Sequence, residues 1–202
     1  MNFLAHIYLS GISDERMMIG NFIGDKVKGK QIEEYPADIR RGLLIHREID
    51  SYTDTHEVTS RIKRRFQNVA GHYSGVVTDI VYDYCLAKTW EKWYNKRTLS
   101  RFSIDCYMIL IKNWYCIPSE MHQFVIQFIS TRRLTNYAHE SGVESTLKKM
   151  HNSKESFPDI SREVRKIVHE DYSEILKDFE VFFPQIKEHI REYKKKLYKT
   201  IV

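Results

Sequence analysis

Glycine and proline are scarce in this chain. It holds 8 Gly and 4 Pro in 202 residues, and beyond Gly75 only Gly142 remains. A sandwich or barrel needs turn residues every ten or so positions, so an all-β architecture is excluded. Long apolar runs are missing too. The longest, about Cys106 to Ile111, ends at Lys112, well short of the roughly 18 residues that span a bilayer. The opening residues Met1 to His6 carry neither a cationic leader nor a small-residue cleavage site, which predicts a cytoplasmic protein. Cysteine is rare as well: Cys85, Cys106 and Cys116 form no C-x-x-C pair. That speaks against a disulfide framework or a thiolate zinc site and predicts three small buried apolar residues.

What is present is a folding composition. Apolar residues make up 42% and charged residues 29%, too apolar for a disordered chain and too charged for a membrane bundle. Without internal repeats, low-complexity tracts or linkers, residues 1–202 read as one domain. Its predicted class is all-α, with six to nine helices. Pro36 opens a run to about Thr55, Ser74 caps one from Gly75 to about Asn95, Thr98 and Ser100 precede one to Cys116, and Pro118 starts one through Ser130. Asn152 to Pro158 reads as a loop, and the segment after Pro184 as a solvated, basic terminal helix of weak amphipathicity. Net charge is +5. The excess gathers at Arg61, Lys63, Arg64 and Arg65 and again at Lys194 to Lys196, patches that attract an acidic partner.

Several charges fall where apolar residues belong. With residues spaced about 100° apart around the helix after Pro36, His46, Asp50 and Asp54 share the arc of Ile39, Gly42, Leu43, Ile45 and Ile49. On the next long run, Asp79 and Asp83 share a stripe with Trp90 and Trp93. Burying an unpaired carboxylate costs several kcal/mol, and these arcs contain no Arg or Lys. A divalent cation is the compensating charge that carboxylate and imidazole suit. An Asp that caps a neighbouring helix or bonds a buried Tyr is the plain alternative for any one of them. His6, in an apolar helix start, and Asp25, among the glycines of Gly20 to Gly29, are further candidates. His56, His72, His122, His139, His151, His169 and His189 stand in polar surroundings and read as surface residues.

An aspartate-rich site with one or two histidines suits Mn²⁺ or Mg²⁺, with Fe²⁺ a further option. Such an ion activates water and neutralises charge on a phosphoryl group, so phosphoester hydrolysis fits best. No G-x-S-x-G elbow is present, and no Cys or Ser stands beside a base.

At these residues the sequence resembles the acyl carrier protein phosphodiesterases. The resemblance rests on Asn2-Phe3-Leu4-Ala5-His6, on Gly20-Asn21 to Asp25 with Val27-Lys28-Gly29, on His46-Arg47-x-Ile49-Asp50-x-x-Thr53-Asp54, and on Asp79-x-x-x-Asp83 with Leu86. It is close over residues 1–95 and looser over about 130–180, through Tyr137, Met150 and Asn152. It implies an all-helical relative of the HD phosphohydrolases, dependent on Mn²⁺ or Mg²⁺, although the adjacent His-Asp pair that names that superfamily is absent here. It also implies hydrolysis of the phosphodiester joining 4′-phosphopantetheine to a serine of holo-acyl carrier protein, an acidic partner for the Arg61, Lys63, Arg64 and Arg65 cluster. The site residues carried over are Asp25, His46, Asp50 and Asp79 as metal ligands and His6 as a ligand or the support of one. Asp54 and Asp83 are carried over as groups that orient ligands or act as general base. Two rivals are a metal-dependent hydrolase of a nucleotide or other small phosphodiester, and a non-enzymatic helical module that binds nucleic acid. The second has no aromatic-rich RNA signature or helix-turn-helix spacing to support it and leaves the inward aspartates unexplained.

Overall fold

Four helices build the frame of the molecule. They are α1 (Phe3–Ser10), α2 (Glu15–Phe22), α3 (Ala37–Thr55) and α5 (Ser74–Lys88), and α1 packs on the other three. The computed structural model describes residues 1–153 and 156–200. Among them the chain is all-α: α4 (Glu57–Ala70), α6 (Trp90–Trp93), α7 (Leu99–Lys112), α8 (His122–Ser130), α9 (Arg133–Asn136), α10 (Glu140–Ser153), α11 (Ser161–Glu170) and α12 (Tyr172–Thr200) complete it, joined by short 3-10 turns. Twelve α-helices therefore stand where six to nine were expected. Part of the excess comes from one-turn pieces such as α6 and α9, which have no period to read. No helix among the described residues is long and apolar enough to cross a membrane.

The close approach of α2 to α3 follows from two glycines. A Cβ on Gly20 would lie 2.0 Å from the Ile39 carbonyl oxygen, and one on Gly42 would lie 2.0 Å from that of Met17. Neither position tolerates a side chain, so the two backbones touch, and residues beside the crossing are fixed relative to each other. Helix α1 is fastened at both ends from afar. Asp83 of α5 receives the N–H groups of Leu4 and Ala5 at its start, and Lys194 Nζ of α12 reaches the Ser10 carbonyl at its end, 2.6 Å away.

The last helix departs from expectation. Pro184 lies inside α12, and Ile175, Phe179, Phe182, Phe183, Ile186 and Ile190 form a continuous buried stripe through it. The proline sits on the exposed side, where the carbonyl freed by its missing N–H meets water, so the helix continues. Residues beyond 184 thus form part of the core rather than a solvated tail. The run after Ser74 breaks at Thr89, and the expected loop from Asn152 begins later, since α10 carries Asn152 and Ser153. Residues 154 and 155 of that stretch lie outside the described residues. Cys85 and Cys106 are buried, while Cys116 is only half-buried.

Candidate active site

Two imidazoles and a carboxylate converge between α1 and α3. His6 Nε2 lies 3.1 Å from Asp50 Oδ1, and His46 Nε2 lies 3.1 Å from Asp50 Oδ2. The two rings stack with centroids 4.2 Å apart. On α3, His46 and Asp50 are one turn apart on one face, as i and i+4 must be. His6 reaches them because Asp83 fixes the first turn of α1.

Asn21, at the glycine crossing, sets the chemistry of both rings. His46 Nδ1 donates to the Asn21 main-chain carbonyl at 2.8 Å, an acceptor only. Asn21 Nδ2 donates to the His6 carbonyl at 3.1 Å, which leaves Asn21 Oδ1 to accept from His6 Nδ1 at 2.9 Å. With both Nδ1 atoms carrying hydrogen, each neutral ring aims its Nε2 lone pair at the Asp50 carboxylate. That juxtaposition is repulsive unless a positive charge sits among the three groups. A proton can serve at one ring only: burial, and then the charge of His46, hold His6 below its ordinary value. For His46 burial works downward, but Asp25 and Asp50 outweigh it and raise the ring to about 9. Asp50 stays well below the usual carboxylate range, because His46 and His6 overcome its burial. The donor atoms of His6, His46 and Asp50 all lie within 4.8 Å of one another, and this group can hold a metal ion. Imidazoles whose second nitrogen is tied to a carbonyl are the arrangement that metal sites use to fix ligand orientation.

The other candidates are placed around this group in different ways. Asp25 lies 3.5 Å from His46 Nε2, on the turn Gly24–Lys26, and His46 holds its carboxyl below the ordinary value. A Cβ on Gly24 would come within 2.2 Å of His46 Cγ, so glycine is required for that turn to pass the ring. Asp79 pairs with the Met1 ammonium at 2.8 Å and lines the same cleft. Asp54 also lines it, but its side chain is 69% exposed and held by Lys63 Nζ at 2.8 Å. Asp83 is fully buried, accepting from Leu4 N at 2.8 Å and Ala5 N at 3.0 Å. It is thus the helix cap that the plain alternative described, and burial pushes its carboxyl up to about 7.

The basic cluster is largely engaged within the molecule. Arg61 pairs with Asp178, Arg65 with Asp171 and Lys63 with Asp54, leaving Arg64, exposed like Arg61, as the member without an ion pair among the described residues. The surface expectation for histidines holds for His72, His139 and His169. It fails for four others, which are half-buried and pinned: His56 caps α4, His122 and His151 bond the carbonyls of Ile117 and Phe157, and His189 meets Glu48. Their partners are distant in sequence or main-chain, which polar neighbours along the chain do not reveal.

The cleft over the His–Asp group has a volume of about 600 Å³ and is lined also by Lys26, Lys28, Phe124, Arg133 and Met150. Asn21 and Arg133 had drawn no functional assignment from sequence. For Asn21 a signal existed: a polar side chain amid the buried Met17, Met18, Ile19 and Phe22 of α2. Arg133 offered none.

Comparison with known proteins gives the family. The family model described as acyl carrier protein phosphodiesterase matches residues 1–186. A protein of that name from Photorhabdus laumondii is 28% identical over 150 residues, covering 74% of this chain and 75% of its own. One from Yersinia pestis is 28% identical over 152 residues, covering 75% and 78%. One from Yersinia enterocolitica is 24% identical over 184 residues, covering 91% and 94%. No solved structure matches.

Proposed function

The chain belongs to the acyl carrier protein phosphodiesterase family, and from that premise we propose how its cleft hydrolyses the phosphodiester joining 4′-phosphopantetheine to the serine of holo-acyl carrier protein. A water oxygen bonds to phosphorus, the bond from phosphorus to the serine oxygen breaks, and a proton goes to that oxygen. The products are apo-acyl carrier protein and 4′-phosphopantetheine. His6, His46 and Asp50 hold a divalent cation, with Asp25 beside them. Mn²⁺ is our first choice, and Mg²⁺ or Fe²⁺ suit the same mixed nitrogen and oxygen donors. When bound, the ion supplies Lewis acidity to the phosphoryl group and lowers the pKa of water.

The chain's own groups do the rest. Asn21 keeps both Nε2 lone pairs turned inward. Asp79, expected from the resemblance as a ligand, and Asp54 are the cleft carboxylates outside the His–Asp group; either would take a proton from the attacking water once released from its ion pair with the Met1 ammonium or Lys63. Asp83, enclosed and already accepting two N–H groups, acts by holding α1 and hence His6 in place. The observation that carries this reading is the pair of Nδ1-protonated imidazoles facing one carboxylate, an arrangement that calls for a cation.

The test is release of 4′-phosphopantetheine from holo-acyl carrier protein. Chelation is expected to abolish it, added Mn²⁺ to restore it, and Asp50→Ala to lose at least a hundredfold in rate. A wild-type protein inactive with Mn²⁺, or Asp50→Ala at full activity, would overturn the proposal.

A further inference from the structure

One cation of the cleft has a different setting from the rest. Arg133 begins α9 directly after Arg132, whose φ of 47° and ψ of 46° make it the one described non-glycine residue in the left-handed region. Such a backbone costs of order 1 kcal/mol and persists only where its surroundings enforce it. Here Asn136 Nδ2 ties back to the Thr131 carbonyl at 2.7 Å, and Leu134 N donates to the buried Tyr107 hydroxyl at 3.0 Å. The turn so pinned places Arg133 on the wall of the cleft that holds His46 and Asp50.

Arg133 is half-buried and has no carboxylate partner among the described residues. Its guanidinium lies 5.6 Å from the centre of the Phe124 ring. A smaller groove of about 180 Å³ adjoins the cleft, sharing Phe124, Arg133 and Met150 with it and adding Gln127, Phe128 and Lys149. Burial, and then the charge of Arg133, hold the Lys149 ammonium below its ordinary value. Two cations therefore stand near each other with no acid between them, while the metal end of the same cleft is crowded with Asp25, Asp50, Asp54 and Asp79.

Resting on the function proposed above, we infer that Arg133 binds the phosphoryl oxygens of the substrate and that the groove of Phe124, Gln127, Lys149 and Met150 receives the 4′-phosphopantetheine arm. The chemistry of that arm suits the lining. Its phosphate carries paired oxygens that a guanidinium fork meets with two hydrogen bonds. It also carries an apolar gem-dimethyl carbon, for which Phe124 and Met150 offer surface, and a hydroxyl and amides, for which the Gln127 carboxamide offers a donor and an acceptor. The acyl carrier protein is left on the opposite side of phosphorus, outside the groove. Arg133 thereby neutralises charge that grows on the phosphoryl oxygens as the serine oxygen leaves.

The inference is tested with Arg133→Gln, holo-acyl carrier protein as substrate, and two probes, 4′-phosphopantetheine and inorganic phosphate, on the Mn²⁺-loaded protein. Arg133→Gln is expected to lower kcat/KM about a hundredfold and to weaken both probes at least tenfold, with Mn²⁺ affinity and melting temperature unchanged. Arg133→Lys keeps the charge without the fork and is expected to recover part of the loss; it carries the test alone if the Gln variant does not fold. Met150→Ala is expected to weaken 4′-phosphopantetheine severalfold while leaving phosphate binding intact; wild-type affinity of this variant for 4′-phosphopantetheine would overturn the groove assignment. An active wild type with Arg133→Gln unaltered in kcat/KM would overturn the inference and leave the proposed function standing. Equal affinity of the wild type for the two probes would overturn the groove assignment. A wild type inactive with Mn²⁺ strikes the proposed function instead.

Discussion

Asn21 bonds His6 through its side-chain oxygen and His46 through its main-chain oxygen, so one residue determines which nitrogen of each ring carries the proton. Both rings depend on it; His46 Nδ1 also lies 3.3 Å from the side-chain oxygen, but its nearer acceptor is the main-chain one at 2.8 Å, which a side-chain substitution keeps. Asn21→Ala removes the acceptor of His6 Nδ1 and keeps that of His46. Supports of this kind are worth about 10–100-fold in metal affinity. Mn²⁺ titration of the variant is expected to show a loss in that range with the fold retained; unchanged affinity would contradict the role given to Asn21.

The metal-free protein is expected to lose stability as the solution turns alkaline. His46 titrates at about 9 against an ordinary 6.5. Its folded value lies above its unfolded one, so its contribution is full below about pH 6.5 and disappears as pH rises through 9. Denaturant unfolding from pH 6 to 9.5 should show the decline in the wild type and a flatter profile in His46→Gln. Mn²⁺ takes the place of that proton, so its binding at pH 7 is expected to release protons and to strengthen with pH. Parallel unfolding profiles for the two proteins would refute the assignment.

Asp83→Ala leaves the Leu4 and Ala5 N–H groups without their acceptor in a buried place. An unsatisfied buried donor costs about 1–3 kcal/mol, and loss of a helix cap about 1 kcal/mol. Thermal unfolding should record a drop within that range, and activity should fall through displacement of His6. A melting temperature equal to the wild type's would show that α1 does not need this carboxylate.

Gly24→Ala puts a methyl group where the His46 ring stands. The turn Gly24–Lys26 or the ring must move, and either shift separates His46 from Asp25. We expect Mn²⁺ affinity to fall by tenfold or more while core stability changes little, read by titration and by melting of the metal-free protein. Wild-type affinity in this variant would mean that the turn yields without disturbing the ring.

How much of this was legible in the sequence varied with the range of the interaction. The stripe of α3 placed His46 and Asp50 together because both belong to one helix, and period alone decides that. Asp54, one turn further, leans outward to Lys63 of α4, a contact no single-helix projection contains. Asp83 was legible as a buried charge, but its donors are main-chain groups 78 and 79 residues away. Pro184 lies opposite the stripe of Ile175, Phe179, Phe182, Phe183, Ile186 and Ile190, so the projection could have carried α12 through it; the segment beyond was set apart because its charge-rich residues were weighed over that period. Arg133 was invisible for a different reason: a strained backbone at Arg132, not a pattern, turns it inward.

The two distant fastenings of α1 bear on the order in which the protein matures on the ribosome. Residues 3–10 are made before both of their anchors, Asp83 at their start and Lys194 at their end. A nascent chain interrupted before the final helix already has Asn21 and Asp83 to hold His6 against Asp50, but its α1 still lacks the anchor at Ser10.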